Sequence, residues 1–387
     1  MPAKVEGLNP AVLFWARERA GRSIEDVAQA LKRDPDDVRA WEEGEDSPTY
    51  AQLEQLAYKL YKRPLALFFF PAPPSESDPR RAFRTLPDFE IDELSPTTRF
   101  RIREAQSLQV SLRELTSGRN PAPRLIFRDI VTLPKSSSAK VASEVRSYLG
   151  VGIDQQTKVW RSTDDAQKAW RSCLEEVGLF VFKEAFQQED VSGFCLYDPE
   201  FPVIYVNNSV PATRQIFTYF HELGHILLAT SGVTKQDDSY IAVLAGEDRQ
   251  IEIFCNRFAA DVLLPMEELR RRRGDPRDEQ FVSSLAHDFK VSRETVLRRF
   301  LDDGQVGHDF YEMKAEQWRE EASKSRKRKP GGDYYRTHAA YLGTRYMRLA
   351  FKRYYEGAIT LDELAQHLNV NPRSVPGLEE QALSGAA

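Results

Sequence analysis

His221-Glu222-Leu223-Gly224-His225 places two imidazoles four residues apart. On an α-helix, at ~100° per residue, they lie ~40° apart and one turn apart on one face, so both can reach a single metal ion. Glu222 is ~100° from His221 and ~60° from His225, so it flanks such an ion without ligating it. That is the position of a general base acting on a metal-bound water. The setting suits a buried helix. Thr218, Tyr219 and Phe220 precede the motif, Ile226, Leu227 and Leu228 follow it, and no proline interrupts residues 212–229. The other four histidines, His287, His308, His338 and His367, are scattered and read as surface or packing residues.

A tetrahedral catalytic zinc needs a third protein ligand and one open position. The acids downstream are Asp237, Asp238, Glu247, Asp248, Glu252 and Asp261. Ile251, Phe254, Phe258 and Val262 form an apolar stripe, which predicts a helix over 248–264 that ends before Pro265. Glu252 lies next to that stripe and can point towards a buried site, with Asn256 one turn further on the same side. Glu252 is therefore the preferred third ligand, and an ordinary half-exposed helix acid is the alternative.

These residues must be positioned by the surrounding elements. Residues 139–149 and 164–177 read as helices. Residues 179–182, 192–197 and 202–206, rich in Val, Ile, Phe and Tyr, read as strands. A helix is predicted over 92–115, with Ile102, Leu108, Leu112 and Leu115 on one face, broken by 117–123. Upstream, short helices are expected over 8–20, 23–31, 34–43 and 49–60, punctuated by Gly21, Gly44 and Pro48. Ser23 reads as an N-cap, with Asp26 three residues on. The unit closes with Phe68-Phe69-Phe70-Pro71, an apolar plug expected to pack. Residues 71–79 and the basic, glycine-bearing stretch 323–332 read as linkers, and a small helical unit follows. Residues 23–31 are echoed at 360–368 and again from Leu285, each with the apolar-Ala spacing of two closely crossing helices.

The chain has 387 residues, enough for two to four compact units, and a hydrophobic fraction of 41% supports real cores. Lys and Arg total 54 against 59 Asp and Glu, a net of −5, which excludes a globally basic nucleic-acid coat. The longest apolar run, 65–71, is far short of the ~18–20 residues of a membrane span. No apolar signal segment opens the chain. Three widely separated cysteines, Cys173, Cys195 and Cys255, fit a reducing, cytoplasmic setting better than a disulfide framework.

The stretch Thr218-Tyr-Phe-His-Glu-Leu-Gly-His, followed by Glu252-Ile-Phe-Cys-Asn-Arg-Phe-Ala-Ala-Asp-Val-Leu-Leu-Pro265, resembles the ImmA/IrrE metallopeptidase family. Cys255 stands where that family usually has Ala. The resemblance implies zinc ligation by His221, His225 and Glu252 and catalysis by Glu222. It also casts 204–208 as the strand and turn before the active-site helix. In related zincins such an edge strand holds the substrate backbone, although an Asn such as Asn207 also suits a strand end for its turn. Residues 8–72, with Trp41-Glu42-Glu43-Gly44 and Pro48-Thr49, resemble Xre/Cro-type helix-turn-helix domains. The tail from Gly331 looks like the C-terminal extension of longer family members. The expected fold is mainly α with a small β-sheet. Its parts are a helix-turn-helix domain at 1–72, a linker and connecting helix at 73–119, a zincin-like α+β peptidase domain at 120–305, a basic linker at 306–330 and a helical extension at 331–387.

The resemblance implies a zinc endopeptidase that cuts a protein regulator, such as a DNA-binding repressor or an antitoxin-like protein, in phage, mobile-element or stress control. The rival is a helix-turn-helix transcription regulator or toxin–antitoxin component whose zinc site is structural or restrained. Charge bears on that choice. Residues 1–70 hold ten Lys or Arg against twelve Asp or Glu, and the second helix of the pair carries Asp34, Asp36, Asp37 and Glu42 against Arg39. DNA contact through this unit is expected to be weak. The Arg270–Arg273 run, residues 292–300 with Arg293, Arg298 and Arg299, and residues 324–329 are the more basic alternatives.

Overall fold

A computed structural model describes residues 3–76, 83, 91, 93–235, 239–325 and 332–384. The chain divides into two compact units, one formed by residues 1–81 with 87–104, the other by 82–86 with 105–387.

In the first unit, α1 (Pro10–Ala20) is capped by the Asn9 side chain and stopped by Gly21 in the left-handed region. α2 (Ile24–Leu31) opens on a reciprocal capping box between Ser23 and Asp26. A short turn leads into α3 (Pro35–Glu43), capped by Asp34. α4 (Tyr50–Glu54) runs on as a wider π-helical stretch, Gln55–Tyr61. Val12, Ala16, Val27, Val38, Trp41, Leu53, Leu56 and Phe68 form the core. Of the predicted aromatic plug only Phe68 is buried, and Phe69 and Phe70 stay exposed. Glu42, counted above among the acids of the pair's second helix, is instead held inside by Arg17, Nε to Oε1 at 2.8 Å and Nη2 to Oε2 at 3.0 Å. Arg39 is turned back onto Asp36.

A long helix, α5 (Pro96–Leu115), starts after the position expected; residue 92 and the end of the 71–79 linker lie outside the described residues. α6 (Ile126–Asp129), α7 (Ser138–Leu149) and α8 (Thr163–Glu176) follow. The sheet has the order β1-β3-β2-β4, with β1 (Phe180–Glu184) parallel to β3 (Val203–Asn207), and β2 (Val191–Leu196) antiparallel to both β3 and β4 (Gly232–Lys235). Side chains alternate across it. Val181, Cys195, Ile204 and Val206 join the main core. Phe194 and Tyr205 stack at 5.3 Å on the other face, beside Phe186 and Phe83.

α9 (Ala212–Leu227) carries the His-Glu pair and is buried on nearly every side. Behind it Phe220 meets Trp170 edge-on at 4.8 Å, and Trp170 meets Trp160 at 4.9 Å. α10 (Gly246–Leu263) packs against α9. A Cβ on Gly224 would come within 3.0 Å of the Cys255 sulfur, so the glycine of the motif sets how closely the two helices approach. α11 (Met266–Arg271), α12 (Glu279–Phe289), α13 (Arg293–Asp302) and α14 (His308–Ser325) complete this side. Residues 306–330, read as a linker, are thus helical over most of their length. Tyr311, Ala315 and Trp318 bury into the core, and residues 326–330 lie outside the described residues. Glu279 pins three helices together, accepting from Arg293 (2.8 Å), Lys314 (2.9 Å) and the Trp318 indole (3.0 Å).

The tail forms α15 (Tyr334–Leu342), α16 (Thr344–Tyr355), α17 (Leu361–His367) and α18 (Val375–Ser384). Within the second unit, Arg171 of α8 ties it to the sheet. That guanidinium bonds Glu175 (2.9 Å), the Val181 carbonyl of β1, and the Ala340 (2.6 Å) and Tyr341 (3.4 Å) carbonyls at the end of α15. Phe182 of β1 meets Tyr346 edge-on at 5.2 Å.

Candidate metal centre

His221, His225 and Glu252 come together, each offering one ligand atom, with those atoms within 4.8 Å of one another. All three are buried, at 1%, 0% and 1% exposure. The two Nε2 atoms are 3.1 Å apart. Glu252 Oε2 is 3.5 Å from His221 Nε2, and Oε1 is 3.4 Å from His225 Nε2. Helix period explains the imidazole pair, and the Gly224–Cys255 contact brings α10 close enough to supply the carboxylate.

The opposite nitrogens are engaged. His221 Nδ1 is 2.9 Å from Asn256 Oδ1 and donates to it, since an amide oxygen only accepts. His225 Nδ1 lies 3.4 Å from the Thr230 hydroxyl, which itself donates to the His225 carbonyl at 3.1 Å and so receives the ring proton. Both Nε2 lone pairs are thereby left for the shared space. Burial pushes the His225 pKa down, against the pull of Glu252, which keeps the ring neutral. Two imidazoles and a carboxylate on one helix pair are a donor set that suits zinc.

Glu222 stands beside the triad, fully buried. Its Oε1 accepts from the Thr234 hydroxyl on β4, and its Oε2 has no hydrogen-bond partner among the described residues. A buried carboxylate oxygen without a donor is costly and rare unless a ligand, water or reacting group meets it. The nearby thiols are not competing ligands. Burial, reinforced by the charge of Glu222, pushes Cys195 well up, and burial with Glu252 does the same for Cys255, so both stay protonated. Cys195 Sγ instead accepts from Gly232 N at 3.3 Å and ties β2 to β4. A Cβ on Gly232 would come within 2.3 Å of the His225 ring, so β4 can lie along the site only because that residue lacks a side chain.

The remaining candidate acids are elsewhere. Glu247 is exposed on the first turn of α10, and Asp248 follows it. Asp261 is buried away from the site, accepting from Arg299 and from Ser138 (2.7 Å). Asp237 and Asp238 lie outside the described residues. The strand expected to be an open edge is not one: β3 is paired on both sides, by β1 and β2. Tyr205 stacks in the aromatic cluster. Asn207 donates to the Gln188 (3.0 Å) and Val191 (2.8 Å) carbonyls and accepts from Phe186 and Ser209, so it closes a turn. The edge beside the site is β4, which among the described residues pairs only with β2. Thr230, Thr234 and Tyr240 are site residues the sequence reading missed. The Tyr240 hydroxyl donates to Glu252 Oε2 at 2.9 Å.

A buried helix that brings two imidazoles to one point, with a neighbouring helix supplying a carboxylate and Glu222 beside them, is an arrangement that can hold a metal ion. Residues 174–301 match the IrrE N-terminal-like domain of the peptidase M78 family, which supports the resemblance of its two motifs to the ImmA/IrrE family. A stretch of 77 residues is 39% identical to the radiation response metalloprotease IrrE of Deinococcus deserti, covering 18% of this chain and 25% of the relative. That likeness spans a quarter of the relative's length. No helix among the described residues is long and apolar enough to cross a membrane.

Proposed function

We propose that the protein is a zinc-dependent endopeptidase that hydrolyses a peptide bond in a protein regulator, with His221, His225 and Glu252 as ligands and Glu222 as general base. A zinc ion held by these residues would polarise a carbonyl and lower the pKa of a bound water to about 7. The chain's own groups do the rest. Thr234 fixes one oxygen of Glu222, and the other, Oε2, is left to take a proton and return it to the leaving amine. Asn256 and Thr230 hold the imidazoles in the tautomer that ligates. The outer edge of β4 lies beside the base and offers backbone groups to an extended peptide. The observation that carries this reading is Glu222 Oε2, without a partner among the described residues, beside a complete ligand set; a purely structural zinc site has no use for it.

The regulatory setting rests on the family and on the relative's name, which ties that protein to radiation response. Residues 1–72 are read as a helix-turn-helix module for docking a partner, since the exposed surface of α3 is acidic. The test is capture. Glu222→Gln should retain about one zinc per chain and hold its partner uncut, while the intact protein cleaves the same partner. A Glu222→Gln variant that cleaves as fast as the intact protein would remove the assignment.

A further inference from the structure

We infer that Tyr240 is a positioning residue that makes Glu252 a one-oxygen ligand; this rests on the reading that the triad binds zinc. Tyr240 lies on the short 3-10 turn Ser239–Ala242 between β4 and α10 and is 4% exposed. Its phenol donates to Glu252 Oε2 at 2.9 Å. Glu252 presents both oxygens to the imidazoles, at 3.4 and 3.5 Å. Left to itself, a carboxylate so placed can bind an ion through both oxygens, which raises the coordination number and fills the position a substrate needs.

The phenol removes that ambiguity. Its proton lies on Oε2 and lowers that oxygen's basicity relative to Oε1. Oε1 becomes the ligand, and the fourth position stays open. Packing of the aromatic ring does not account for this, because a phenylalanine would fill the same space. The hydroxyl is the part that meets the site.

The test uses the full chain and two probe ions, zinc and cobalt(II). Tyr240→Phe keeps the ring and deletes the donor. Thermal denaturation without metal reports whether the fold is intact. Zinc affinity, measured by chelator competition, is expected to fall by about 10–100-fold, the usual cost of losing a group that supports a ligand. The visible bands of the cobalt-loaded protein are expected to weaken, as a four-coordinate ion gains a ligand. A fluorinated tyrosine at position 240, a stronger donor in the same shape, covers the case in which Tyr240→Phe folds poorly; it should preserve the intense bands and bind zinc at least as tightly as the intact protein. Unchanged zinc affinity and an unchanged cobalt spectrum in Tyr240→Phe would overturn the inference and leave the peptidase reading standing. Failure of the intact protein to bind either ion would overturn both.

Discussion

His221 and Glu252 are held from behind by Asn256 and Tyr240, and Glu222 by Thr234. Alanine at His221, His225 or Glu252 should therefore abolish tight zinc binding, while alanine at Glu247 or Asp248 should not; a zinc titration of the five variants ranks them. Asn256→Ala leaves the ligands in place and should weaken binding by about 10–100-fold. The depressed pKa of His225 has a signed consequence. The folded ring resists a proton that the unfolded ring accepts near pH 6.5, so its stabilising contribution is present above that pH and is lost as pH falls through the lower, folded value. The metal-free protein should melt at a lower temperature below about pH 6.5, and His225→Asn should flatten that limb. His221, Glu222, His225, Glu252 and Asn256 were legible in the sequence because all five lie on helices, where spacing alone says which residues share a face. Thr230, Thr234 and Tyr240 lie on a turn, a strand and a 3-10 turn, where the facing side is set by what the segment pairs with.

Two glycines control how closely the elements approach the site. Gly232→Ala should push the His225 ring aside and cost zinc affinity. Gly224→Ala should strain the α9–α10 contact by about 1–3 kcal/mol, with Cys255→Ala in the same chain recovering part of it; a thermal-denaturation double-mutant cycle measures the coupling. Arg299 shows the limit of reading basic residues by count. It is buried, bonded to Asp261 and to the Leu264 carbonyl at 3.1 Å, and it holds α13 to the end of α10. Arg299→Ala should destabilise the protein by about 3–5 kcal/mol by stranding a buried carboxylate, so a loss of DNA binding on that change would report unfolding. The helices at 23–31 and 34–43 were predicted close to their observed limits, and at the first of them Ser23 was read as the N-cap it proves to be. β4 was not predicted, because Gly-Val-Thr-Lys has too little β character to stand out. The interior position of β3 was equally hidden, since strand order is a property of the whole sheet.

At the scale of the molecule, the first unit keeps the acidic balance of its sequence, with one counted acid of α3 turned inside. Arg17 and Glu42 neutralise each other inside, and exposed Arg39 is paired with Asp36, so the outward face of α3 offers phosphate a single, already paired cation beside Asp36 and Glu43. The full chain should bind duplex DNA weakly at physiological salt, and Arg39→Ala should leave the salt dependence unchanged; a salt slope shallower by about one counterion in that variant would place Arg39 on a phosphate and argue the opposite. The tail brings a different consequence. Arg171 is committed to the last carbonyls of α15 and, through Val181, to the flank of β1, so its value to the protein depends on the tail being there. In a shorter relative that stops before position 332, an arginine here would keep Glu175 and the Val181 carbonyl but lose its two α15 carbonyls to solvent. Arginine at this position should then be more frequent in relatives that carry the extension than in those that lack it, and an alignment of long and short relatives checks this.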